Sequence, residues 1–120
     1  MGNILVVDDD EQVLDVVSEM LRMDGHEVVT AGNGGEALNK FRCADYDLVI
    51  TDLIMPDMEG LETITELRAQ KEAIPIIAMS GGGRVGPMDY LETARFIGAA
   101  ETLAKPFTRN ELVQAVSRLI

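Results

Sequence analysis

Three consecutive aspartates directly follow an apolar segment near the N-terminus. Residues 3–12 read NILVVDDDEQ, so the apolar run ILVV leads straight into Asp8, Asp9 and Asp10. Two carboxylates about 4 Å apart repel each other by roughly 4 kcal/mol at an effective dielectric constant of ~20. Carboxylates held this close together cost stability unless a positive charge lies among them. The pattern therefore predicts a cation-binding site at the end of this segment.

Three more reactive side chains come directly after apolar segments further along the chain. Asp52 follows LVIT, Ser80 follows IPIIAM, and Lys105 follows TLA. If these residues meet the N-terminal aspartates, the carboxylates form an oxygen-rich site of the kind that Mg²⁺ prefers. Beside such a metal, Lys105 and Ser80 could bind the oxygens of a phosphoryl group. Asp52 would then be the nucleophile, which accepts the phosphoryl group as an acyl phosphate.

Short apolar segments alternate with helical patterns along the chain. The apolar segments lack strict alternation, which is typical of strands buried on both faces of a sheet. The intervening patterns repeat apolar residues at helical spacing, and Asp9 or Asp10, Gly25 and Thr108 are suitable cap residues. We therefore predict strands over 4–7, 28–31, 48–51, 74–79 and 101–104, and helices around 13–21, 37–41, 61–67, 90–97 and 112–120.

Five strands that alternate with five helices predict an α/β domain with a doubly wound parallel sheet. The second strand ends without a reactive side chain, so we place it at an edge, and we take the full order 2-1-3-4-5 from the flavodoxin-like fold. This order gathers the other strand ends at the edge where ligands of such folds bind. We expect residues 1–120 to form this one domain, with no output domain after the last helix. Asp10 is then more simply a helix cap than a metal ligand.

The charge balance is strongly acidic, with 10 basic and 21 acidic residues and a net charge of −11. Such a surface repels phosphate backbones and anionic lipid headgroups, so we expect neither nucleic-acid nor membrane binding. The sequence shows no signal peptide and no apolar stretch of membrane-spanning length, which predicts a cytoplasmic protein. The single cysteine, Cys43, can form no internal disulfide, and we expect it to be a packing residue.

Four motifs together resemble the receiver domains of bacterial response regulators. They are VVDDDE, VITDLIMPDMEG, IPIIAMS and LAKPF, and the resemblance runs from Ile4 to Leu119. It implies a stand-alone signalling switch that receives a phosphoryl group from a sensor histidine kinase or a histidine phosphotransfer protein. Such a domain catalyses only its own phosphorylation and dephosphorylation, and it is not an enzyme with an external substrate. The phosphorylated form would change its affinity for a partner protein.

The resemblance assigns the acidic residues to phosphoryl acceptance and metal binding. Asp52 matches the phosphorylated aspartate, and Asp8 and Asp9 match the acid pair that binds Mg²⁺. Asp9 would be a direct ligand, and Asp8 would act mainly through water. The backbone carbonyl of Ile54 would complete the protein's share of the coordination.

The chain departs from the family pattern at Thr102 and in the segment from Ser80 to Lys105, which is a few residues longer than is typical. Lys105 matches the lysine that contacts the phosphoryl group, Ser80 matches the switch hydroxyl, and the peptide before Pro106 is expected to be cis. Receiver domains usually carry an aromatic residue three positions before the lysine, where this chain has Thr102. The usual aromatic coupling therefore cannot operate in its ordinary form. The glycine-rich stretch over 81–87 predicts a loop that becomes ordered when Ser80 binds the phosphoryl group.

A phosphatase of the haloacid-dehalogenase type is the alternative interpretation. Its first motif has an aspartate nucleophile and a second aspartate two positions later, which Asp8 and Asp10 would supply. That family also needs an acid pair behind its lysine, whereas only Glu111 follows Lys105 here, and Asp52 would have no role. A flavin-binding electron carrier fits less well, because acids follow the first strand where a phosphate-binding loop is needed.

Overall fold

Strands and helices alternate along the part of the chain that the structure describes. This computed structural model describes residues 2–52, 60–71, 73–80 and 99–120, with the backbone alone at 60, 61 and 80. The strands are β1 (Asn3–Val7), β2 (Glu27–Ala31), β3 (Leu48–Asp52), β4 (Ile76–Ser80) and β5 (Glu101–Ala104). The helices are α1 (Glu11–Met23), α2 (Gly34–Cys43), α3 (Gly60–Gln70) and α4 (Arg109–Ser117). The helix predicted over 90–97 lies outside the described residues.

The strands form one parallel sheet in the order β2-β1-β3-β4-β5, as the sequence predicted. Every residue of β3 is buried, which suits a strand in the middle of the sheet, whereas β2 has exposed residues and lies at an edge. Val7 pairs with Ala31 on one side and with Thr51 on the other, so the strand ends are nearly level. The carboxyl ends of all five strands therefore lie along one edge of the sheet.

The sheet has an apolar core on each face, and alternate side chains of β1 belong to one core or the other. Leu5 and Val7 pack into the core that includes α2 and α3, and Ile4 and Val6 pack into the core that includes α1 and α4. All four side chains are fully buried. Complete burial of one such side chain contributes about 1.5–3 kcal/mol. These two cores hold the strand ends, and the side chains that follow them, in fixed positions.

Side-chain caps hold the starts of α1 and α4. Asp10 Oδ1 accepts a hydrogen bond from the Gln12 backbone N–H at 2.9 Å, which makes Asp10 the N-cap of α1. Thr108 caps α4 in a capping box with Glu111. Gly25 follows α1 with a φ of 90°, a conformation that favours glycine. The predicted caps of both helices are thus confirmed.

The fourth strand and the last helix each lack residues that the prediction included at one end. The fourth strand begins at Ile76 and not at residue 74, because Ile74 donates its N–H to Lys71 O at 3.3 Å in a turn. Pro75 has no N–H to contribute to the ladder. The last helix ends at Ser117 and does not reach residue 120.

Cys43 is exposed at the last residue of α2, so the prediction that it is a packing residue was wrong. The buried face of α2 includes Leu38 and Phe41. Cys43 comes two residues after Phe41, which is a rotation of about 200° around the helix axis and places it on the other side. Among the described residues, none of the helices has the length and apolar character needed to cross a membrane.

Candidate functional site

Three aspartates meet at the carboxyl edge of the sheet because β1 and β3 are neighbours. Asp8 and Asp9 follow β1, and Asp52 is the last residue of β3. One carboxylate oxygen from each residue lies within 4.8 Å of the other two oxygens. Asp8 is fully buried and Asp52 is 6 % exposed, whereas Asp9 is open to solvent. The structure thus brings the three predicted carboxylates together, and we call them the acid cluster.

Lys105 brings a positive charge to two members of the acid cluster. It follows β5, and its Nζ lies 2.5 Å from Asp8 Oδ2 and 3.5 Å from Asp52 Oδ1. The side chain reaches from the end of the last strand in the sheet to the end of β1. The peptide between Lys105 and Pro106 is cis, as predicted. Part of the positive charge that the cluster requires is therefore supplied by the chain itself.

Backbone and side-chain donors already occupy both oxygens of Asp8. Oδ1 accepts from the Asp10 backbone N–H at 3.0 Å, and Oδ2 accepts from Lys105 Nζ. The Asp10 side chain is used as the helix cap, as preferred from the sequence. Asp9, the exposed member of the cluster, is therefore the carboxylate most accessible to a cation from solvent.

Burial and ion pairing shift the protonation equilibria of the buried pair. Burial raises the pKa of the Asp8 carboxyl above its ordinary value, although its bonds to Lys105 and to the Asp10 N–H act in the opposite direction. Burial alone would lower the pKa of the Lys105 ammonium group, but its hydrogen bond to Asp8 and the charge of Asp52 raise this pKa overall. Lys105 therefore stays positively charged at neutral pH.

The acid cluster has the donor set of a site for a small, hard divalent cation. Each member offers a carboxylate oxygen, and three carboxylates carry more negative charge than the one ammonium group of Lys105 neutralises. Mg²⁺ binds through one or two carboxylates and keeps several waters, which suits a cluster with an exposed member. Asp9 and Asp52 could hold such an ion, with Asp8 beside them.

The other predicted site residues are described only in part. Ser80 is the last residue of β4 and so lies at the same edge of the sheet as Asp52, but its side chain is not among the described atoms. Thr102 is half-buried in β5. Ile54 and the glycine-rich loop over 81–87 lie outside the described residues.

An apolar groove borders the acid cluster, and the sequence analysis did not predict it. The groove encloses about 500 Å³ and is lined by Val13, Val16 and Met20 of α1 and by Pro106 and Phe107, with Asp10 and Lys105 also in its wall. We call it the α1 groove. Positions 13, 16 and 20 form a second apolar stripe beside the buried positions 14, 17 and 21. Together the two stripes are wider than one buried helix face requires. This width was the sequence feature from which the groove could have been predicted.

A comparison with protein-family models identifies the family of this fold and site. The model described as the response regulator receiver domain matches residues 4–117, nearly the whole chain. The chain belongs to this family. As a receiver domain, it has a role in phosphorelay signalling, in which response regulators receive phosphoryl groups from histidine kinases.

Curated relatives of this receiver domain are roughly twice its length. The transcriptional regulatory protein CpxR homolog of Haemophilus influenzae is 34 % identical over 121 residues, which cover 100 % of the chain and 51 % of that protein. The transcriptional regulatory protein PrrA of Mycobacterium tuberculosis is 37 % identical over 117 residues, which cover 98 % of the chain and 49 % of that protein. The chain thus spans about half the length of the curated relatives it matches.

Solved receiver domains share the fold closely. A response regulator receiver domain protein from Clostridium thermocellum has a TM-score of 0.92 at 34 % identity, with 100 % of this chain and 94 % of that chain covered. The response regulator TrrA from Thermotoga maritima, solved in complex with Mg²⁺ and BeF, has a TM-score of 0.88 at 37 % identity, with 100 % of both chains covered. Both comparisons confirm the predicted fold class.

The phosphatase alternative, with Asp8 and Asp10 as its two acids, was wrong. The family match across residues 4–117 assigns the chain to receiver domains. The local geometry gives the physical reason, because the Asp10 side chain is held by the first turn of α1 and both oxygens of Asp8 have donors from the chain. Neither carboxylate is arranged as a nucleophile with an acid partner.

Proposed function

We propose that Asp52 accepts a phosphoryl group from a sensor histidine kinase or a histidine phosphotransfer protein. The observation that carries this proposal is the position of Asp52, which lies within the acid cluster, 3.5 Å from Lys105 Nζ. Asp52 is only 6 % exposed, so charge that develops on it is poorly screened by water and depends on these neighbours. The domain catalyses its own phosphorylation and dephosphorylation and no reaction of an external substrate.

In the transfer step, an Asp52 carboxylate oxygen forms a bond to phosphorus while the phosphorus–nitrogen bond of the donor's phosphohistidine breaks. The departing imidazole nitrogen keeps the electron pair of that bond and takes up a proton. Asp9, Asp52 and the carbonyl of Ile54 would hold Mg²⁺, which would supply positive charge to the phosphoryl oxygens when bound. Lys105, with its raised pKa, provides a second positive charge beside Asp52.

Lys105 is also the residue through which phosphorylation changes the domain. Its ammonium group is closer to Asp8 than to Asp52. A phosphoryl group on Asp52 adds anionic oxygens near this cation, which weakens its preference for Asp8 and gives it a new partner. The Ser80 hydroxyl is the proposed second donor to the phosphoryl group. Thr102 stands in β5 where related domains use an aromatic residue, so the change is not transmitted by an aromatic side chain at this position.

Labelling with a small phosphodonor tests the proposal. The protein is incubated with Mg²⁺ and the donor, and the labelled residue is mapped by mass spectrometry. We expect a base-labile phosphate on Asp52 that is absent in Asp52→Asn and when EDTA is present during labelling. Asp45→Asn, which changes an exposed aspartate outside the cluster, should be labelled like the wild type. Label on Asp8, or labelling of Asp52 while EDTA is present, would overturn the assignment.

A further inference from the structure

Strand β2 forms one edge of the sheet, and its backbone has an inner and an outer side. Glu27 N–H and Ala31 O make hydrogen bonds toward the β1 side. The backbone groups of successive residues in a strand point in opposite directions, so Val28 and Thr30 face away from β1. Their carbonyl groups lie along the open edge of the sheet.

Two long cationic side chains reach these outward carbonyls. Arg22 Nη2, at the end of α1, donates to Val28 O at 3.3 Å. Lys40 Nζ, in α2, donates to Thr30 O at 2.5 Å. Because α1 and α2 belong to the cores on opposite faces of the sheet, the two cations approach the edge from its two sides.

A carboxylate holds Lys40 in this position. Glu36 Oε1 lies 2.9 Å from Lys40 Nζ, one helical turn earlier in α2. Glu36 Oε2 accepts from the Gly32 backbone N–H at 3.2 Å, directly after the end of β2. The lysine is therefore fixed to the strand at Thr30 and, through Glu36, at the residue that follows the strand.

The sequence of β2 would otherwise favour pairing with another strand. Val28, Val29 and Thr30 are β-branched, and Val29 is 39 % exposed. An edge with open carbonyl groups and such side chains is a template for strand addition. We propose that Arg22 and Lys40 close this edge, so that neither a second copy of the chain nor an extended peptide segment adds a strand to β2. Association of the domain must then use its other surfaces.

Replacing both cations tests this proposal. In the double variant Arg22→Met with Lys40→Met, each side chain keeps an aliphatic stem but loses its hydrogen-bond donors. The control is Arg42→Met with Arg109→Met, which removes two exposed arginines that make no hydrogen bond to β2 among the described contacts. Both variants change the net charge from −11 to −13, so general charge repulsion increases equally.

Sedimentation and light scattering over a concentration series give the readout. We expect the edge variant to associate at about a tenfold lower concentration than the wild type, because the two hydrogen bonds that block the edge are lost. Amide exchange at Val28 and Thr30 should slow as association proceeds. Adding Val29→Lys to the edge variant should return association to the concentration range of the wild type, since a charged edge resists pairing. Circular dichroism checks the fold, and if the double variant is unfolded, the single variants Arg22→Met and Lys40→Met provide the same comparison.

Equal association of edge and control variants, or association that leaves the β2 amides unprotected, would overturn the proposal.

Discussion

At the residue scale, the three consecutive aspartates after β1 differ because of the donors that surround them. Asp8 is buried and accepts from Lys105 and from a backbone N–H. Asp10 accepts from the first turn of α1, and Asp9 stays open to solvent. The sequence offered Asp9 and Asp10 as helix caps and favoured Asp10 in that role. The position of the first helical N–H groups, which only the folded backbone defines, separates them.

Ser18 tests whether a buried hydroxyl group without a hydrogen bond lowers the stability of this domain. It is 2 % exposed in α1, and its hydroxyl has no hydrogen-bond partner among the described residues. Because an unpaired buried hydroxyl costs free energy, we expect Ser18→Ala to raise the free energy of unfolding by about 1 kcal/mol and the melting temperature by about 4 °C. Alanine also has the higher helix propensity.

Thermal unfolding followed by circular dichroism measures this effect. Ser117→Ala is the control, because Ser117 is exposed and its hydroxyl already donates to Gln114 O at 3.0 Å. We expect no comparable gain from the control variant. A lower melting temperature for Ser18→Ala would show that the buried hydroxyl has a partner and would contradict the prediction.

At the scale of secondary structure, the sequence predicted the strands because the inner strands of a parallel sheet are buried on both faces. β1 and β3 therefore appear as continuous apolar runs, and their ends located Asp8 and Asp52. The start of β4 was less predictable, since Ile74 is apolar and buried although it lies in a turn and not in the strand.

Contacts made by long side chains across the fold could not be predicted in the same way. Lys105 and Asp8 are 97 positions apart in the chain, and their pairing depends on how far the lysine reaches along the sheet edge. The contacts of Arg22 and Lys40 with β2 depend equally on side-chain reach. The spacing of residues in the sequence predicts which helix or strand each residue belongs to. It does not predict which partner a long lysine or arginine side chain contacts.

The α1 groove is the element-scale feature with the clearest consequence for phosphoryl transfer. In the proposed reaction, a protein donor brings its histidine to Asp52 and therefore covers the surface around Lys105, where the groove begins. Val16 is 50 % exposed in this groove. We expect Val16→Asp to slow transfer from a histidine kinase or phosphotransfer protein about tenfold or more, because the interface would bury an unpaired charge.

Comparison of two phosphodonors isolates this effect. Labelling of Val16→Asp by a small phosphodonor should match the wild type, since the groove lies outside the acid cluster. Val29→Asp places the same charge on another exposed apolar position, in β2, and should leave both reactions unchanged. Equal slowing with the small donor, or equal slowing by both variants, would contradict a docking role for the α1 groove.

At the scale of the whole molecule, negative charge opposes folding in two ways. The net charge of −11 produces a general repulsion that salt screens over about 8–10 Å. The acid cluster adds a local repulsion that salt screens poorly, because Asp8 and Asp52 are buried. A divalent cation that binds the acid cluster reduces the local repulsion, whereas monovalent salt at the same ionic strength reduces mainly the general repulsion.

Magnesium should therefore stabilise the folded domain beyond the effect of ionic strength. A ligand that binds only the folded state at 100 times its Kd adds about 2.7 kcal/mol to the free energy of unfolding. We expect the melting temperature at neutral pH to rise with MgCl₂ and to rise less with NaCl of the same ionic strength. Asp9→Asn removes the most accessible carboxylate of the acid cluster and should abolish most of the magnesium-specific increase, while Asp45→Asn should retain it. An equal response to the two salts, or an unchanged magnesium response in Asp9→Asn, would mean that the cation acts through general screening and not through the acid cluster.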